Sequence, residues 1–564
     1  MFLEDHRLQI IEVTDQVVAV VLLVQEVVLL QDHLRAVEVL EVVQGLQVEE
    51  EDVNHIHHQK NIYYMKKLNL LFIGLLSMST IYAQDISDAL RYSQSEIQGT
   101  ARFRALSGAF GALGGDMSAV SANPAGSAVF SRSHASFTGS NIDLENNTGY
   151  FNGATNNNTS NFDINQGGAA FVFANRNSNS PWRKFTLSIA YDRTNNYDDV
   201  WNAVGRNTNN QSIDLYFLNY ADGIRLADIS LIGDEFVEEA YADIGNAFGF
   251  AHQQAFLGYQ AFILEPDADD DDNTTYFSNL ADGTFDHDYL YSSTGYNGKI
   301  SFNFAAQYED NLYIGINLNS HFIDYQRSSS LLEDNSNGGL ISEIDFDNNL
   351  STTGNGFSFQ LGGIMKLSPE FRVGLTYDSP TWSTLEEETT QFINSNEADS
   401  DISFIADIVN VYPQYKLKTP SKITGSLAYV FAKQGLISFD YSKKDYGNTE
   451  FRPEADYTGL NNAIADILTD AATYRLGGEY KHKQFSFRGG YRFEESPYAD
   501  GITVGDLTGY SLGLGYNFGN TKLDITYDKW ERTDATQLYN VGLVDTASID
   551  RQNSNITLSL SFNI

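Results

Sequence analysis

The chain has 564 residues, no cysteine and a formal net charge of -39. This acidity argues against a nucleic-acid partner, because a phosphate backbone would be repelled, and the lack of cysteine excludes disulfides and thiolate metal sites. A mean hydropathy of -0.30 argues against a bundle of membrane helices. The 33 tyrosines, 36 phenylalanines and 45 glycines beside only 9 prolines favour many β-strands joined by turns.

The N-terminal region indicates that translation starts downstream of residue 1. Residues 1–64 carry long Val, Leu, Gln and Glu stretches, unlike everything that follows. The basic start Met65-Lys66-Lys67, the apolar stretch 68–76 and the small-residue exit at Ala83 are typical of a secretory signal peptide over 65–83. We therefore expect translation to start at Met65, the mature chain to begin near Gln84, and residues 1–64 to lie outside the fold. The alternative is a genuine cytoplasmic or helical extension.

Apolar and polar side chains alternate along the last strand and along many strands before it. The residues Ile556, Leu558, Leu560, Phe562 and Ile564 alternate with Thr, Ser and Asn. Because successive side chains of a strand point to opposite faces, one face is apolar and the other is polar. The pattern predicts hairpins over 300–318, 357–377, 422–446, 474–493 and 510–530, and single strands near 132–144, 162–175 and 183–195.

Short turns and long connections alternate strictly between these strands. Turns such as Glu309-Asp310-Asn311 close the hairpins, and long polar stretches join one hairpin to the next. Outer-membrane barrels have this layout, with short periplasmic turns and long extracellular loops. We therefore predict an all-β, antiparallel up-and-down transmembrane β-barrel of about fourteen strands over 132–564. The stretch 196–298 is too long for a plain loop and predicts an extracellular insertion.

The segment 84–131 precedes the first strand and is rich in small residues. It holds the Gly- and Ala-rich run 107–116, followed by Asn123-Pro124-Ala125-Gly126. Small residues allow tight packing, and Asn-Pro and Ala-Gly are typical of turns. A fourteen-stranded barrel would enclose a lumen too wide for wall side chains to fill. From the residues alone, the segment is either a plug inside the barrel or a periplasmic extension.

The segment 111–130, with Asn123-Pro124-Ala125-Gly126, resembles the hatch of the long-chain fatty-acid transporter family (FadL/TodX-like). The stretches 373–380, 419–420 and 491–497 are similar to that family as well, so the resemblance covers the chain from Gln84 to Ile564. It implies a fourteen-stranded barrel with an N-terminal hatch inside the lumen, in the outer membrane of a Gram-negative cell.

The resemblance also implies a function. A relative of this family is expected to transport hydrophobic small molecules such as long-chain fatty acids passively, with capture in the barrel and lateral release through a wall opening. Its expected surroundings are outer-membrane lipid and lipopolysaccharide, with folding by the barrel-assembly machinery, and it is expected to be a monomer. The alternatives are a receptor for haem or another hydrophobic ligand, and a structural or adhesive surface barrel without transport.

A carboxylate substrate would need a cation that faces the lumen. In the strand 474–480 the apolar parity turns Arg475 inward, and the same parity turns Arg488 and Arg492 of the next strand inward. These three arginines are the candidate substrate anchors. The alternative is that they pair with carboxylates of the lumen wall. Those carboxylates are Asp440, Glu479, Asp524 and Asp528.

No metal-ligand spacing or catalytic arrangement stands out in the sequence. The histidines after residue 84 are scattered, and haem ligation would need one of them in an apolar pocket. The acidic run 267–272 fits a solvated loop better than a calcium site. We find neither G-x-S-x-G nor a convincing His-to-acid pattern, so we expect no enzyme, no cofactor and no bound metal. The histidines are His134, His252, His287, His321 and His482.

Overall fold

The computed structural model describes residues 85–177, 179–432 and 434–564. Most of this range forms one antiparallel sheet, because the alternating pattern lets each strand present an apolar face to lipid and a polar face to the lumen. The strands are β1 (His134–Tyr150), β2 (Gly153–Ala174), β3 (Trp182–Asn196), β4 (Asp199–Asn207), β5 (Leu264–Pro266), β6 (Tyr276–Ser278), β7 (Phe285–Tyr308), β8 (Leu312–Asn335), β9 (Glu343–Lys366), β10 (Phe371–Asp378), β11 (Trp382–Ser395), β12 (Asn410–Val411), β13 (Tyr415–Lys418), β14 (Lys422–Phe431), β15 (Gly435–Asp445), β16 (Glu450–Arg452), β17 (Asp470–His482), β18 (Phe485–Glu494), β19 (Leu507–Asn517), β20 (Thr521–Gln537) and β21 (Thr546–Asn563).

The helices of the described ranges fall before the first strand or in the long connections. None of them combines the length and the apolar character needed to cross a bilayer. The helices are α1 (Ile86–Ser93), α2 (Ala101–Arg104), α3 (Met117–Ala122), α4 (Asp214–Ala221), α5 (Val237–Phe248), α6 (Phe250–Gln260) and α7 (Thr458–Ile467), with a 3-10 turn at Pro124–Val129.

The large sheet closes on itself into a barrel. Its nineteen segments include five that only extend a neighbouring strand (β4, β11, β12, β13 and β16), which leaves fourteen strands in the described chain. β21 pairs with β1 from His134 opposite Asn563 to Gly149 opposite Ser548, so the last strand seals the first. Closure satisfies the backbone groups that an open edge would leave unpaired in lipid. The predicted fourteen-stranded, up-and-down barrel is confirmed.

The side chains of the wall follow the predicted parity. Phe302, Leu476 and Leu558 are about half exposed on the outside, at 48%, 48% and 51%. Their sequence neighbours Ser301 and Thr557 are fully buried on the lumen side. This arrangement is the one that lipid outside and a filled lumen inside require.

The strands on one side of the barrel are longer than a membrane needs. β7, β8 and β9 have 24 residues each, whereas about 9–11 residues suffice to cross a bilayer. The wall therefore continues beyond the membrane at the end that carries the long connections. Of the predicted insertion 196–298, residues 208–284 lie between β4 and β7 and include the short strands β5 and β6, while the ends of the insertion belong to β3, β4 and β7.

The insertion and other long connections fill this end of the barrel. Helices α4, α5 and α6 pack against the inward-facing side chains at the tops of the strands, and together they form one apolar core. Phe217 and Phe256 of the helices and Phe346 of β9 are completely buried there. We call this unit the cap, residues 208–284 with the strand tops that contact them.

Residues 85–131 lie inside the barrel, which confirms the predicted hatch in the lumen. Their polar contacts reach strands on every side: the Ala101 amide donates to Ser559 at 2.6 Å, the Phe110 amide to Asp440 at 2.9 Å, and Ser127 to Asn303 at 2.5 Å. The periplasmic-extension alternative is thereby excluded. The boundary positions Met65 and Gln84 and residues 1–64 lie outside the described residues.

Glycines that face inward allow the hatch backbone to lie close to the barrel wall. A Cβ built on Gly374 would lie 2.4 Å from the Gly111 carbonyl oxygen, and one built on Gly490 would lie 2.6 Å from the Leu106 carbonyl carbon. Only glycine therefore fits at these positions. The neighbouring Gly489 faces lipid, and its nearest atoms to a built Cβ are 3.7 Å away.

We expect Gly490→Ala to destabilise the folded barrel by about 1–3 kcal/mol, because the added methyl group would push against the hatch backbone. Gly489→Ala is the matched control, since its methyl group would make only ordinary van der Waals contacts on the same strand. The midpoint of heat- or urea-induced unfolding, followed by the gel shift of the folded barrel, measures both. Equal midpoints for the two variants would contradict this account of the hatch contact.

Candidate functional site

A polar cavity of about 160 Å³ lies in the lumen, between the N-terminal segment and the strands β14 to β20. Lumen-facing residues of the wall, the hatch-side stretch Gln94–Glu96 and the connection between β18 and β19 line it. The charged residues of its lining are Glu96, Lys422, Lys444, Arg475, Arg492, Glu494, Glu495 and Arg532.

The N-terminal segment forms one wall of this cavity because the sheet holds it by its backbone. The Glu96 amide donates to the Thr194 carbonyl at 3.0 Å. The Lys444 ammonium donates to the Ser93 carbonyl. Burial raises the pKa of the Glu96 carboxyl, opposed by a hydrogen bond from Gln98. Burial therefore disfavours the ionised form of Glu96.

The cavity lining contains five cationic side chains against three carboxylates. Arg492 donates to Glu494 at 3.1 Å, while Arg475 approaches the same carboxylate only to 3.9 Å. The Nε atom of Arg475 is buried and has no hydrogen-bond partner in the described structure, whereas Arg532 pairs through its Nε atom with Asp534 at 2.8 Å. A buried cationic donor such as that of Arg475 favours an anion that would complete its hydrogen bonds.

Arg488, the third candidate anchor, lies in a different environment. It donates to Glu479 and to Asp524 at 2.7 Å each, and all three side chains are almost fully buried. Arg102 of the hatch donates to the same Glu479 at 2.9 Å. This cluster lies against the hatch and outside the residues that line the cavity, and it corresponds to the wall-pairing alternative stated for the arginines.

The hatch motif Asn123-Pro124-Ala125-Gly126 attaches the hatch to the wall. The Asn123 side-chain amide donates to the Gly111 carbonyl at 2.8 Å and to the Gly363 carbonyl at 3.1 Å, and its oxygen accepts from the Ala125 amide. Asn303 of β7 donates to the Pro124 carbonyl at 3.0 Å. These contacts indicate that the motif attaches the hatch to the barrel wall.

The wall has a gap in its hydrogen-bond ladder between β2 and β3. The two strands pair from Ala174 opposite Lys184 only as far as Gln166 opposite Asp192. Beyond that point the described residues 153–165 of β2 and 193–207 of β3 and β4 share no ladder. We call this unladdered stretch the seam. The glycine pair Gly167-Gly168 lies at its edge.

Side chains join the two sides of the seam. Arg193 forms an ion pair with Asp163, and Asn161 donates to Asp198 at 2.9 Å. The N-terminal segment borders the seam from inside, since Asn165 donates to Gln98 at 3.0 Å. Residues Asn195 and Glu96, which line the polar cavity, belong to this border as well. The cavity and the seam are therefore neighbours.

The histidines do not form a common site in the described part of the chain. His287 hydrogen-bonds to Glu333 at 2.8 Å and to Tyr150 at 3.0 Å in the buried cap, while His321 contacts Ser358 at 2.7 Å. Within the described residues, no group of three or more His, Asp or Glu side chains could hold a metal ion. The acidic run 267–272 is mostly exposed.

Sequence reasoning missed Lys422, Lys444, Arg532 and Glu96 at the cavity. Strand parity turns the two lysines and Arg532 inward, so the signal was present in the alternation. Parity does not give the height of a side chain relative to the hatch. The cavity residues and Arg488 differ in this height, so parity alone does not assign them to different sites.

The closed barrel, its hatch and its lumen cavity define an outer-membrane transport barrel. Residues 293–563 match the family described as outer membrane protein transport protein (OMPP1/FadL/TodX), and residues 74–147 match the uncharacterised protein family UPF0164. The C-terminal barrel strands thus match the FadL/TodX family that the resemblance implied. That family is described by transport and not by catalysis. No curated protein matches the sequence.

Solved structures that resemble this chain include a FadL homologue and two toluene transporters. A Pseudomonas aeruginosa FadL homologue is 13% identical, with 83% of this chain and 99% of that chain covered and a TM-score of 0.47. The P. putida toluene transporter TodX is 12% identical, with 83% and 98% covered and a TM-score of 0.47. The Ralstonia pickettii toluene transporter TbuX is 12% identical, with 82% and 98% covered and a TM-score of 0.42.

We expect Arg488→Gln to lower the free energy of unfolding by about 3–5 kcal/mol, because it leaves Glu479 and Asp524 buried beside each other without their shared cation. Arg475→Gln is the comparison, since Arg475 borders a cavity that water can enter. Urea unfolding of the two purified variants measures the difference. A loss for Arg475→Gln as large as that for Arg488→Gln would contradict the distinction between the two sites.

Proposed function

We propose that the protein transports hydrophobic molecules that end in a carboxylate, with long-chain fatty acids as the model substrate, passively across the outer membrane. The buried Nε atom of Arg475, which has no hydrogen-bond partner at the polar cavity in the described structure, carries this proposal. Arg475 and Arg492 hold the carboxylate, assisted by Lys444, and the unpartnered Nε atom of Arg475 supplies one of the donors.

The polarity of the cavity favours an acid over a hydrocarbon. TodX and TbuX are toluene transporters by their descriptions. A neutral aromatic molecule would leave the cationic donors of this cavity unsatisfied, which is costly for buried charges. A carboxylate completes these hydrogen bonds, and its alkyl chain can extend away from the cationic side chains. No histidine is among the described lining residues, so the cavity gives the haem-receptor alternative no support.

Release through the seam is the exit that the contacts favour. The apolar core of the cap fills the long-loop end, and the hatch fills the short-turn end. The seam lies beside the cavity and is joined by side chains in place of a backbone ladder. Lateral exit also delivers an apolar molecule directly into lipid, where burial of its alkyl chain is favourable.

Passive transport requires that the solute is held only moderately. The partial pairing of Arg492 with Glu494 meets this requirement, because a bound carboxylate competes with an internal one. The expected monomeric state, the lipid surroundings and folding by the barrel-assembly machinery stay predictions.

Arg475→Gln combined with Arg492→Gln should reduce uptake of a labelled long-chain fatty acid at least about fivefold, since two charge-assisted hydrogen bonds are lost. Uptake of an uncharged hydrophobic molecule of similar size should change less than twofold. Arg206→Gln, which breaks an exposed ion pair with Asp286 on the cap, is the control and should leave both unchanged. Uptake is measured in cells that express matched amounts of folded barrel. Equal effects on acid and neutral solute would refute the anchor.

Cross-linking tests the route, and the chain offers a background without cysteine. The variants Asp163→Cys and Arg193→Cys, joined by a bis-maleimide, should block fatty-acid uptake because the seam can no longer separate. Phe171→Cys and Leu187→Cys are the matched control, since these residues face each other in the laddered part of the same strands. Reversal of the block with a cleavable linker confirms the cause. Undiminished uptake through a fully cross-linked seam would exclude this exit.

A further inference from the structure

Two arginines outside the polar cavity meet in the lumen at a single tyrosine. Arg91 belongs to α1, and its guanidinium carbon lies 4.2 Å from the centre of the Tyr325 ring. Arg327 is two residues beyond Tyr325 on β8, so strand parity places it on the same lumen face of the wall. We call Arg91 and Arg327 the upper arginine pair.

The upper arginine pair lies between the polar cavity and the end of the barrel that carries the long connections. Asn317 of β8 donates to the hatch carbonyl of Val120 at 2.7 Å, and Arg327 lies further along β8 toward the long connections. The helix α1 carries Arg91 and continues into the stretch Gln94–Glu96, which lines the polar cavity. The pair and the cavity therefore lie one above the other in the same lumen.

One carboxylate serves the first of the two arginines. Arg91 forms an ion pair with Asp88, one helical turn before it. The Nε atom of Arg327 is buried and has no hydrogen-bond partner in the described ranges. Burial raises the pKa of the Asp88 carboxyl and Asp85 adds to the rise, while the charges of Arg91 and Arg327 oppose it. Arg327 is therefore close enough to act on the Asp88–Arg91 pair, and it keeps a donor for an additional anion.

Tyrosine rings surround the upper arginine pair. The rings of Tyr92 and Tyr197 meet that of Tyr325 edge to face, with centroid distances of 6.4 and 5.2 Å. Tyr291, which packs against the core of the cap, shares a hydrogen bond of 3.0 Å with the Tyr325 hydroxyl. Ring faces are apolar and hydroxyl groups are polar. This lining suits an amphipathic anion, because an alkyl chain can lie on the rings while its head group meets a guanidinium group.

The arginines remain accessible from the lumen. The Arg91 side chain is 13% exposed, and Arg327 is partly exposed although its Nε atom is buried. Glu387 of β11 also belongs to this region, but its Oε1 atom accepts hydrogen bonds from the hydroxyl groups of Tyr415 and Thr352. A carboxylate that arrives in the lumen can therefore contact both guanidinium groups.

We propose that Arg91 and Arg327 form a second carboxylate site, which holds the transported acid before it reaches Arg475 and Arg492 at the polar cavity. The nature of the solute rests on the proposed function. Guanidinium groups bind carboxylates through paired, charge-assisted hydrogen bonds, and Arg327 supplies the free donor. The chain from Arg91 to Glu96 spans at most about 15 Å, so the two sites are neighbours. The solute passes from one to the other without leaving the lumen.

The four tryptophans of the chain provide a separate reporter for each site. Trp201 stacks on Tyr291 with a centroid distance of 5.2 Å, and Trp530 is part of the lining of the polar cavity. Two variants of the full-length barrel each keep one of these tryptophans and carry phenylalanine at the other three positions. The probe is 2-bromododecanoate, whose bromine quenches a nearby indole and lies next to the carboxylate. The neutral comparison is 1-bromododecane.

The acid should quench both reporters with saturation, and the neutral probe should quench neither with saturation. Arg327→Gln should raise the half-saturating concentration at Trp201 about tenfold, since charge-assisted hydrogen bonds are lost, and should change that at Trp530 less than about twofold. Arg327→Lys keeps the charge and should stay within about threefold of wild type. Arg225→Gln, which removes an exposed ion pair with Asp272 on the cap, is the charge-matched control and should change neither reporter.

The gel shift of the folded barrel verifies the fold of every variant. Saturable quenching at Trp530 without quenching at Trp201 would overturn this second site and leave the proposed function standing. A lack of saturable quenching at both reporters would overturn the two together. An unchanged Trp201 response in Arg327→Gln, or a loss in Arg327→Lys as large as that in Arg327→Gln, would also refute the assignment, the latter because it indicates a purely structural role.

Discussion

Backbone hydrogen bonding in a solvent without water is the constraint on which this structure depends. Lipid offers no partner to an amide or a carbonyl, so a sheet that crosses it must close. Pairing of β1 with β21 meets that requirement over sixteen residue pairs. The seam between β2 and β3 is the exception, because Asp163, Arg193 and neighbouring polar side chains replace the ladder there. The wall is therefore least costly to open at the seam.

Closure produces a polar lumen wall, and that wall determines how the hatch is held. Carboxylates that face the lumen must be neutralised or hydrogen-bonded when the hatch removes water from them. Arg104 of the hatch pairs with Asp528 at 2.8 Å, and hatch amides donate to Asp440. The hatch therefore supplies the donors for Asp528 and for Oδ2 of Asp440, whereas Arg475 and Arg492 donate no hydrogen bond to these two acids in the described structure. The proposed anion site therefore depends on how the hatch is anchored.

The barrel was predictable from the sequence because its signal has a period of two residues and repeats. Ile556 to Ile564 gave the parity of the last strand, and the same parity placed Leu476 outside and Arg475 inside. The fourteen strands followed from the alternation of short turns with long connections. The cap was not predictable in detail, since the helices α4 to α6 are stabilised by contacts with distant strands, such as that between Phe217 and Phe346. Contacts between residues so far apart in the chain produce no local sequence pattern.

The site was predictable only in part, for a geometric reason. Arg475 and Arg488 are both inward-facing arginines on adjacent strands, and no local pattern distinguishes them. Arg475 borders an open cavity, while Arg488 lies between two carboxylates against the hatch. Arg475 and Arg488 differ in their position along the barrel axis. This position depends on the register of the strands and on the location of the hatch. Lys444 was missed for the same reason, although its parity is inward.

The relative cost of two exits follows from these contacts. Axial expulsion of the hatch would break the pairs Arg102–Glu479 and Arg104–Asp528, and each buried pair that is broken costs about 3–5 kcal/mol. It would also remove the amides that solvate Asp440. Opening the seam breaks the similarly buried ion pair of Asp163 and Arg193 and a few hydrogen bonds between polar side chains, with no backbone ladder to separate. One buried ion pair therefore holds the seam, whereas two ion pairs and the amides at Asp440 hold the hatch against axial movement.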